Sequence, residues 1–308
     1  MADVDNLIEL TEKPAAKETY LIAGWRQWAD AGNVSSALPR HLIDQMAARQ
    51  IGQIRSDPFY IFQIPGAQHL LRPEIKLQDG YRTELQSRKN EIFYAGDARK
   101  GLVIFLGDEP HVGAERYADA FFNVATELNV KRVVTIGGVY APVPYDKDRQ
   151  ISCTYSLPKM KKELDDYAVQ FSNYEGGVSI GSYLADRAEQ LGIEYLVFYA
   201  MVPMYDLSAL SPLVEAITIG NDFKAWYDLM RRLSHMFKLG LDLSDLEEKS
   251  RELVRSVSKQ IEALEEQVPK AQVREYLEKV NAGFTEMSFM PLDDAWEAGL
   301  RDIFKDQE

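Results

Sequence analysis

Residues 102–138 read LVIFLGDEPHVGAERYADAFFNVATELNVKRVVTIGG, and this stretch decides the fold. Its first five residues are a continuous apolar run, the pattern of a strand covered on both faces. Tyr117, Ala118, Phe121, Phe122, Ala125 and Leu128 then recur at three- and four-residue spacing, with Asp119, Asn123 and Glu127 opposite them. That spacing predicts an amphipathic helix. Asn129 closes it, and residues 133–136 supply a second apolar run. Strand, helix and strand make a βαβ unit, whose crossover joins parallel strands.

Similar runs at 20–23, 59–64 and 195–202 predict further covered strands, and the alternating run at 150–155 predicts one nearer an edge. A helix over about 33–50 would bury Val34, Leu38, Leu42 and Met46, with a kink at Pro39 or a start near Ser36. Another, over 180–191, would bury Ile180, Tyr183, Leu184, Ala188 and Leu191, capped by Ser179 and ended by Gly192. Strands alternating with helices argue an α/β sandwich around a mostly parallel sheet.

From about residue 208 the pattern is helical. Leu243, Leu246, Ser250, Leu253, Val257, Ile261, Leu264 and Val268 form a near-heptad apolar seam. Ser244 and Glu247 have capping-box spacing, and Pro269 stops the helix. A second helix carries Val273, Leu277 and Val280, and a third, about 293–304, carries Trp296, Leu300 and Phe304. The expected organisation is an α/β core over 1–237 and a helical C-terminal appendage over 238–308. The chain's own core or another subunit would cover the seam.

The 308 residues are 46% apolar and carry a net charge of −13, so a nucleic-acid partner or an anionic membrane would be repelled. Residues 238–308 hold 10 basic and 17 acidic residues, a solvated face or a docking surface for a basic partner. Cys153 is the only cysteine, which excludes an intrachain disulfide and suits a reducing cytoplasm. Residues 1–10 lack the basic and apolar segments of a secretion signal, and no apolar stretch is long enough to span a membrane.

Ligands of open α/β sheets sit beyond the carboxyl ends of the strands. Four glycine-bearing segments fall there: residues 24–32, 107–110, 137–138 and 176–177. Asp108 and Glu109 follow a covered strand, where paired carboxylates either do acid/base work or cap the next helix. Asp30 stands in the same relation to the first helix, and His111 lies beside Glu109. Asp30, Asp108, Glu109 and His111 are therefore the candidate pocket residues. The histidines 41, 69, 111 and 235 form no zinc spacing, so neither a metal nor another cofactor is expected. Phosphate-loop, dinucleotide and nucleophile-elbow motifs are missing, which leans against an enzyme and supplies no catalytic residue.

Several segments together resemble the proteasome assembly chaperone two family. They are Leu21-Ile22-Ala23-Gly24-Trp25 with Trp28-Ala29-Asp30-Ala31-Gly32; Arg72-Pro73-Glu74-Ile75 with Asp79-Gly80; and Gly107-Asp108-Glu109-Pro110. Ile136-Gly137-Gly138, Pro142-Val143-Pro144-Tyr145, Gly176 to Gly181 and Val202-Pro203-Met204-Tyr205 continue the order. Where the family often has histidine, this chain has Tyr145 and Met204. The resemblance implies a three-layer α/β/α fold similar to nucleoside phosphorylase/hydrolase architecture. It also implies a cytoplasmic homo-oligomer, a trimer by analogy, with protein partners. The expected function is that of a non-catalytic, self-associating assembly or interaction protein. The competing expectation is a nucleoside- or carboxylate-type enzyme or binding protein that uses a cleft at the sheet's carboxyl edge.

Overall fold

A computed structural model of the chain describes residues 5–26, 28–64, 72–207, 216–268 and 272–290. Ten strands form one mixed sheet in the order β1-β3-β6-β7-β2-β8-β11-β9-β10, with β12 on β11. These are β1 (Ile8–Leu10), β2 (Glu18–Arg26), β3 (Arg49–Ile54), β6 (Glu91–Gly96), β7 (Lys100–Asp108), β8 (Val130–Ala141), β9 (Ile151–Tyr155), β10 (Gln170–Phe171), β11 (Glu194–Tyr205) and β12 (Ile217–Thr218). Strands β4 (Glu74–Gln78) and β5 (Tyr81–Gln86) form a separate antiparallel hairpin.

The centre of the sheet is parallel: β2 runs beside both β7 and β8. The βαβ unit read from residues 102–138 is present, but β2 lies between its two strands. The flank β7-β6-β3-β1 is antiparallel. By its contacts the chain forms two compact units. The first comprises residues 1–139, 152–161 and 171–199, and the second 140–151, 162–170 and 200–308.

In the first unit, alternation along the strands sends side chains to opposite faces. Leu21, Ala23, Trp25, Val103 and Phe105 share one core cluster with Tyr117, Phe121, Phe122, Leu184 and Ala188. Those residues come from the helices Ala114–Glu127 and Ile180–Leu191, which pack together. The other face meets the helix Ala37–Gln45, which packs on β2 and β7 and buries Leu38, Leu42 and Ile43. Two helical layers therefore enclose the sheet, the α/β/α sandwich. The first helix starts at Ala37, where Pro39 lies in the first turn and its missing N–H costs no bond. Ser179 and Gly192 bound the Ile180–Leu191 helix, the glycine at φ +69°.

One apolar run is not a strand. In residues 59–64 only Phe59 is fully buried, edge-on to Tyr117 at 5.1 Å, while Phe62 and Ile64 are exposed. The Ile61 N–H bonds the His111 ring instead of a neighbouring strand.

In the second unit, the helices Phe223–Phe237 and Ser244–Gln267 pack together, and Val273–Ala282 follows. Leu246, Ser250, Val257 and Ile261 are buried, Leu243, Leu253, Leu264 and Val268 half-buried, and Glu248, Glu262 and Glu266 exposed. The capping box does not form. Ser244 is already helical, and its N–H donates to Asp242 at 2.9 Å. The helix read at 293–304 lies outside the described residues.

A fully buried ion pair organises this unit. Arg149 donates from Nε and Nη2 to Asp222 at 2.8 and 3.2 Å, and neither side chain is exposed. Its Nη1 donates to the carbonyls of Tyr145 and Lys147, each at 3.0 Å. Asp222 also caps the Phe223–Phe237 helix, accepting from the Ala225 N–H. Arg232, equally buried, donates to the carbonyls of Tyr167, Ala168 and Asp228, and burial pulls its guanidinium down to about 10.

Asp222→Ala leaves a buried guanidinium without its carboxylate and strips a helix cap, so it should cost about 3–5 kcal/mol. Equilibrium urea unfolding measures this. The double variant Arg149→Met, Asp222→Leu should recover most of the loss. A single variant as stable as the parent would refute the assignment.

Candidate functional site

The carboxyl ends of β2 and β8 are covered by the chain itself. A Cβ on Gly24 would lie 1.9 Å from the Ser35 carbonyl oxygen, and one on Gly138 would lie 2.0 Å from that of Ala31. Glycine is required at both positions because backbone presses on backbone. The Gly138 N–H donates to the Ala29 carbonyl at 2.8 Å, and Asp30 bridges Gly138 in parallel. The Trp25 N–H donates to Ser35 Oγ at 2.8 Å. Segment 28–36 thus plugs the space where a ligand would enter.

Asp30 holds that plug. Its Oδ1 accepts from the N–H groups of Ser35 and Ser36 at 2.8 and 2.9 Å, just ahead of the Ala37–Gln45 helix. Burial pushes its carboxyl up, and the N–H donors of Ser36 and Ser35 oppose that.

Asp108 ends β7 and is 3% exposed. It accepts from Arg26 at 3.0 Å, Arg88 at 3.2 Å and the Lys89 N–H at 2.8 Å. Beneath it runs a buried chain of bonds: Trp25 Nε1 donates to Tyr117 Oη at 2.8 Å, which donates to Asn90 Oδ1 at 2.9 Å. Tyr60 Oη lies 2.7 Å from both Asn90 Oδ1 and the Asp108 carbonyl oxygen.

Glu109 and His111 share a cleft of about 240 Å³ with Ala114, Val178, Ile180 and Tyr183. Glu109 accepts from the Ile180 N–H at 2.5 Å and from the Trp28 N–H, so it sits at the start of the Ile180–Leu191 helix. Burial pushes its carboxyl up, against those donors. His111 Nδ1 accepts from the Ile61 N–H at 3.1 Å, which places the ring proton on Nε2, a buried atom without a partner. Burial, helped by Arg88, pulls this imidazole down, so it is neutral at pH 7.

Of the four candidates, the structure therefore brings Glu109 and His111 to one cleft and engages Asp108 and Asp30 elsewhere. The helix start there holds a carboxylate, in the position a phosphate would take. Tyr199, which no sequence signal marks, lines a separate cavity of about 10 Å³ with Trp25, Trp28, Glu109 and Ser179. Its hydroxyl bonds Ser179 Oγ, and Ser182 Oγ lies 3.0 Å away. Burial pushes the Cys153 thiol up to about 12, which makes it inert at neutral pH. Among the described residues no group of three or more His, Cys, Asp or Glu could hold a metal. No helix among them is long and apolar enough to cross a membrane.

The profile of the PAC2 family matches residues 24–261. A proteasome-assembly chaperone homologue from Mycobacterium tuberculosis is 23% identical, with a TM-score of 0.66 over 78% of this chain and 94% of that one. A PAC2 family protein from Streptomyces avermitilis is 22% identical, with a TM-score of 0.67 over 84% and 99%. An archaeal proteasome activator from Pyrococcus furiosus is 17% identical, with a TM-score of 0.60 over 83% and 98%. No curated protein matches the sequence.

A carboxyl raised by folding binds its proton more tightly in the native state. Its contribution to stability therefore falls as pH rises from the ordinary value of 4.5 through the raised one. Glu109→Gln lacks this loss. The melting temperature of the variant minus that of the parent should climb between about pH 4 and 7. A flat difference would show that the carboxyl is not raised.

Proposed function

The chain belongs to the PAC2 family, and from that premise we propose that it is a non-catalytic, self-associating cytoplasmic protein that acts by binding other proteins, in the manner of an assembly chaperone. The plugged strand ends carry this reading. At the place where an open α/β sheet would receive a substrate, Gly24 and Gly138 are covered by the backbone of segment 28–36. The acids nearest that place are spent on helix starts and arginines. Two of the similar structures, the mycobacterial chaperone homologue and the archaeal activator, are named for work on the proteasome. A net charge of −13 weighs against polyanions as partners.

The Glu109–His111 cleft is the observation that favours the competing small-molecule reading. Its volume falls below the usual range for drug-sized ligands, roughly 300–1,000 Å³. Two measurements on the full chain separate the readings. Sedimentation velocity should show an oligomer, and the chain used as bait should retain a protein in fixed stoichiometry. A thermal-shift screen with nucleosides, inorganic phosphate and small carboxylates should leave the melting temperature within about 1 °C, whereas a ligand at a hundredfold excess over Kd would add about 2.7 kcal/mol. A monomer stabilised by one of those compounds would overturn the proposal in favour of the cleft.

A further inference from the structure

Residues 284–290 read FTEMSFM, follow the Val273–Ala282 helix within the second unit and have no regular secondary structure. Thr285 to Ser288 and Met290 are exposed, whereas Phe289 is only 2% exposed. Among the described residues no backbone hydrogen bond ties residues 285–290 to the rest of the chain. Two side chains make the attachment. The Phe289 ring stacks on Tyr167 at 5.9 Å and meets His235 edge-on at 5.7 Å, and the Arg232 guanidinium carbon lies 5.2 Å from its centre. Three residues earlier, Glu286 Oε1 accepts from the Asp148 N–H at 3.0 Å, and its carboxylate stands 3.8 Å from Lys147 Nζ.

The socket does not depend on Phe289. Arg232 donates to the carbonyls of Tyr167 and Ala168 at 2.8 and 3.0 Å, so the turn and the Phe223–Phe237 helix that line it are already joined. Asp148 is fixed separately by Lys224 and Arg231. The segment above them is the weaker part, because exposed, irregular chain with few buried contacts opens at lower cost than the core it lies on. Burial of one Phe ring favours the closed form by roughly ten- to a hundredfold.

The chemistry of the socket states what fits it. A guanidinium and two ring neighbours favour an aromatic side chain over an aliphatic one. A backbone N–H beside a lysine favours a carboxylate. We propose that residues 284–290 are an autoinhibitory strap: closed, they fill the socket with Phe289, and open, they yield it to a protein segment of the same kind, a carboxylate three residues ahead of an aromatic ring. This rests on the protein-binding function proposed above and assigns it a site.

Fluorescence anisotropy of the full chain tests it, with a labelled peptide of residues 282–290 as the probe. Phe289→Ala empties the socket and should bind the peptide at least about tenfold more tightly than the parent, whose own strap competes. Glu286→Ala changes an exposed side chain, keeps the fold and should bind it severalfold more tightly than the parent. Adding His235→Ala to Phe289→Ala, or Phe289→Leu to the peptide, should reverse part of the gain. Equal affinity of the parent and both single variants would overturn the strap. A gain untouched by His235→Ala and by the leucine peptide would place the peptide elsewhere and refute the socket. A parent and a Phe289→Ala chain that both fail as bait to retain any protein would overturn the protein-binding reading, and the visiting segment with it, even where the peptide binds.

Discussion

Two carbonyl oxygens, those of Ser35 and Ala31, lie where side chains of residues 24 and 138 would otherwise be. Such close approach is possible only at glycine, and it brings segment 28–36 down onto the ends of β2 and β8. The consequences spread from that contact. Asp30 must satisfy the N–H groups of Ser35 and Ser36 as the chain turns into the next helix. Ser35 in turn accepts from Trp25 within β2. The Trp25 ring then fixes Tyr117, and Tyr117 fixes Asn90. The one cleft described beside this contact is that of Glu109 and His111, and the architecture alone carries no chemistry.

Electrostatics divide the acids into three groups. Some are buried and paired, as Asp222 with Arg149 and Asp108 with Arg26 and Arg88. Others sit at helix starts: Asp30 on the turn just ahead of the Ala37–Gln45 helix, Glu109 at the Ile180 N–H, and Asp222 again as a cap. Others among the described residues, such as Glu248, Glu262 and Glu266, are exposed. Buried pairs add little net stability but are costly to break. They therefore fix which segments meet: Arg149 ties the 144–147 turn to the start of the Phe223–Phe237 helix. Tyr145, at a position where the resemblance leads one to expect histidine, gives its carbonyl to Arg149, and its hydroxyl accepts from Ser258 Oγ at 3.1 Å. Both contacts are structural, and the carbonyl contact does not depend on the side chain.

The central elements were legible because their causes are local. A run of five apolar residues, or apolar positions three and four apart, needs no knowledge of the partner. The helices Ala114–Glu127 and Ile180–Leu191 and the strands β2, β7, β8 and β11 follow from such patterns. Residues 59–64 misled for the same reason: the run is apolar, but only Phe59 finds a core. Gln50 and Gln53 interrupt strand β3 and hide its pattern, whereas β6 carries a short apolar run, Ile92 to Ala95, that is legible in the sequence but absent from the strands expected above. The hairpin had a signal, Asp79-Gly80 between alternating residues, that was read only as part of a family resemblance.

The sequence by itself determined the α/β class, the capped ends of the Ile180–Leu191 helix, the acidic surface and the PAC2-like order of motifs. It could name Asp30, Asp108, Glu109 and His111, because their positions after strands are a matter of chain order. Only the tertiary structure decided what those side chains do. Asp108 meets Arg26 across 82 residues, and Glu109 meets the Ile180 N–H across 71. The same holds for β2 between β7 and β8, and for Arg149 on Asp222 across 73 residues. A carboxylate's role depends on which donors fold beside it, and donors that far away in the chain leave no trace in local spacing.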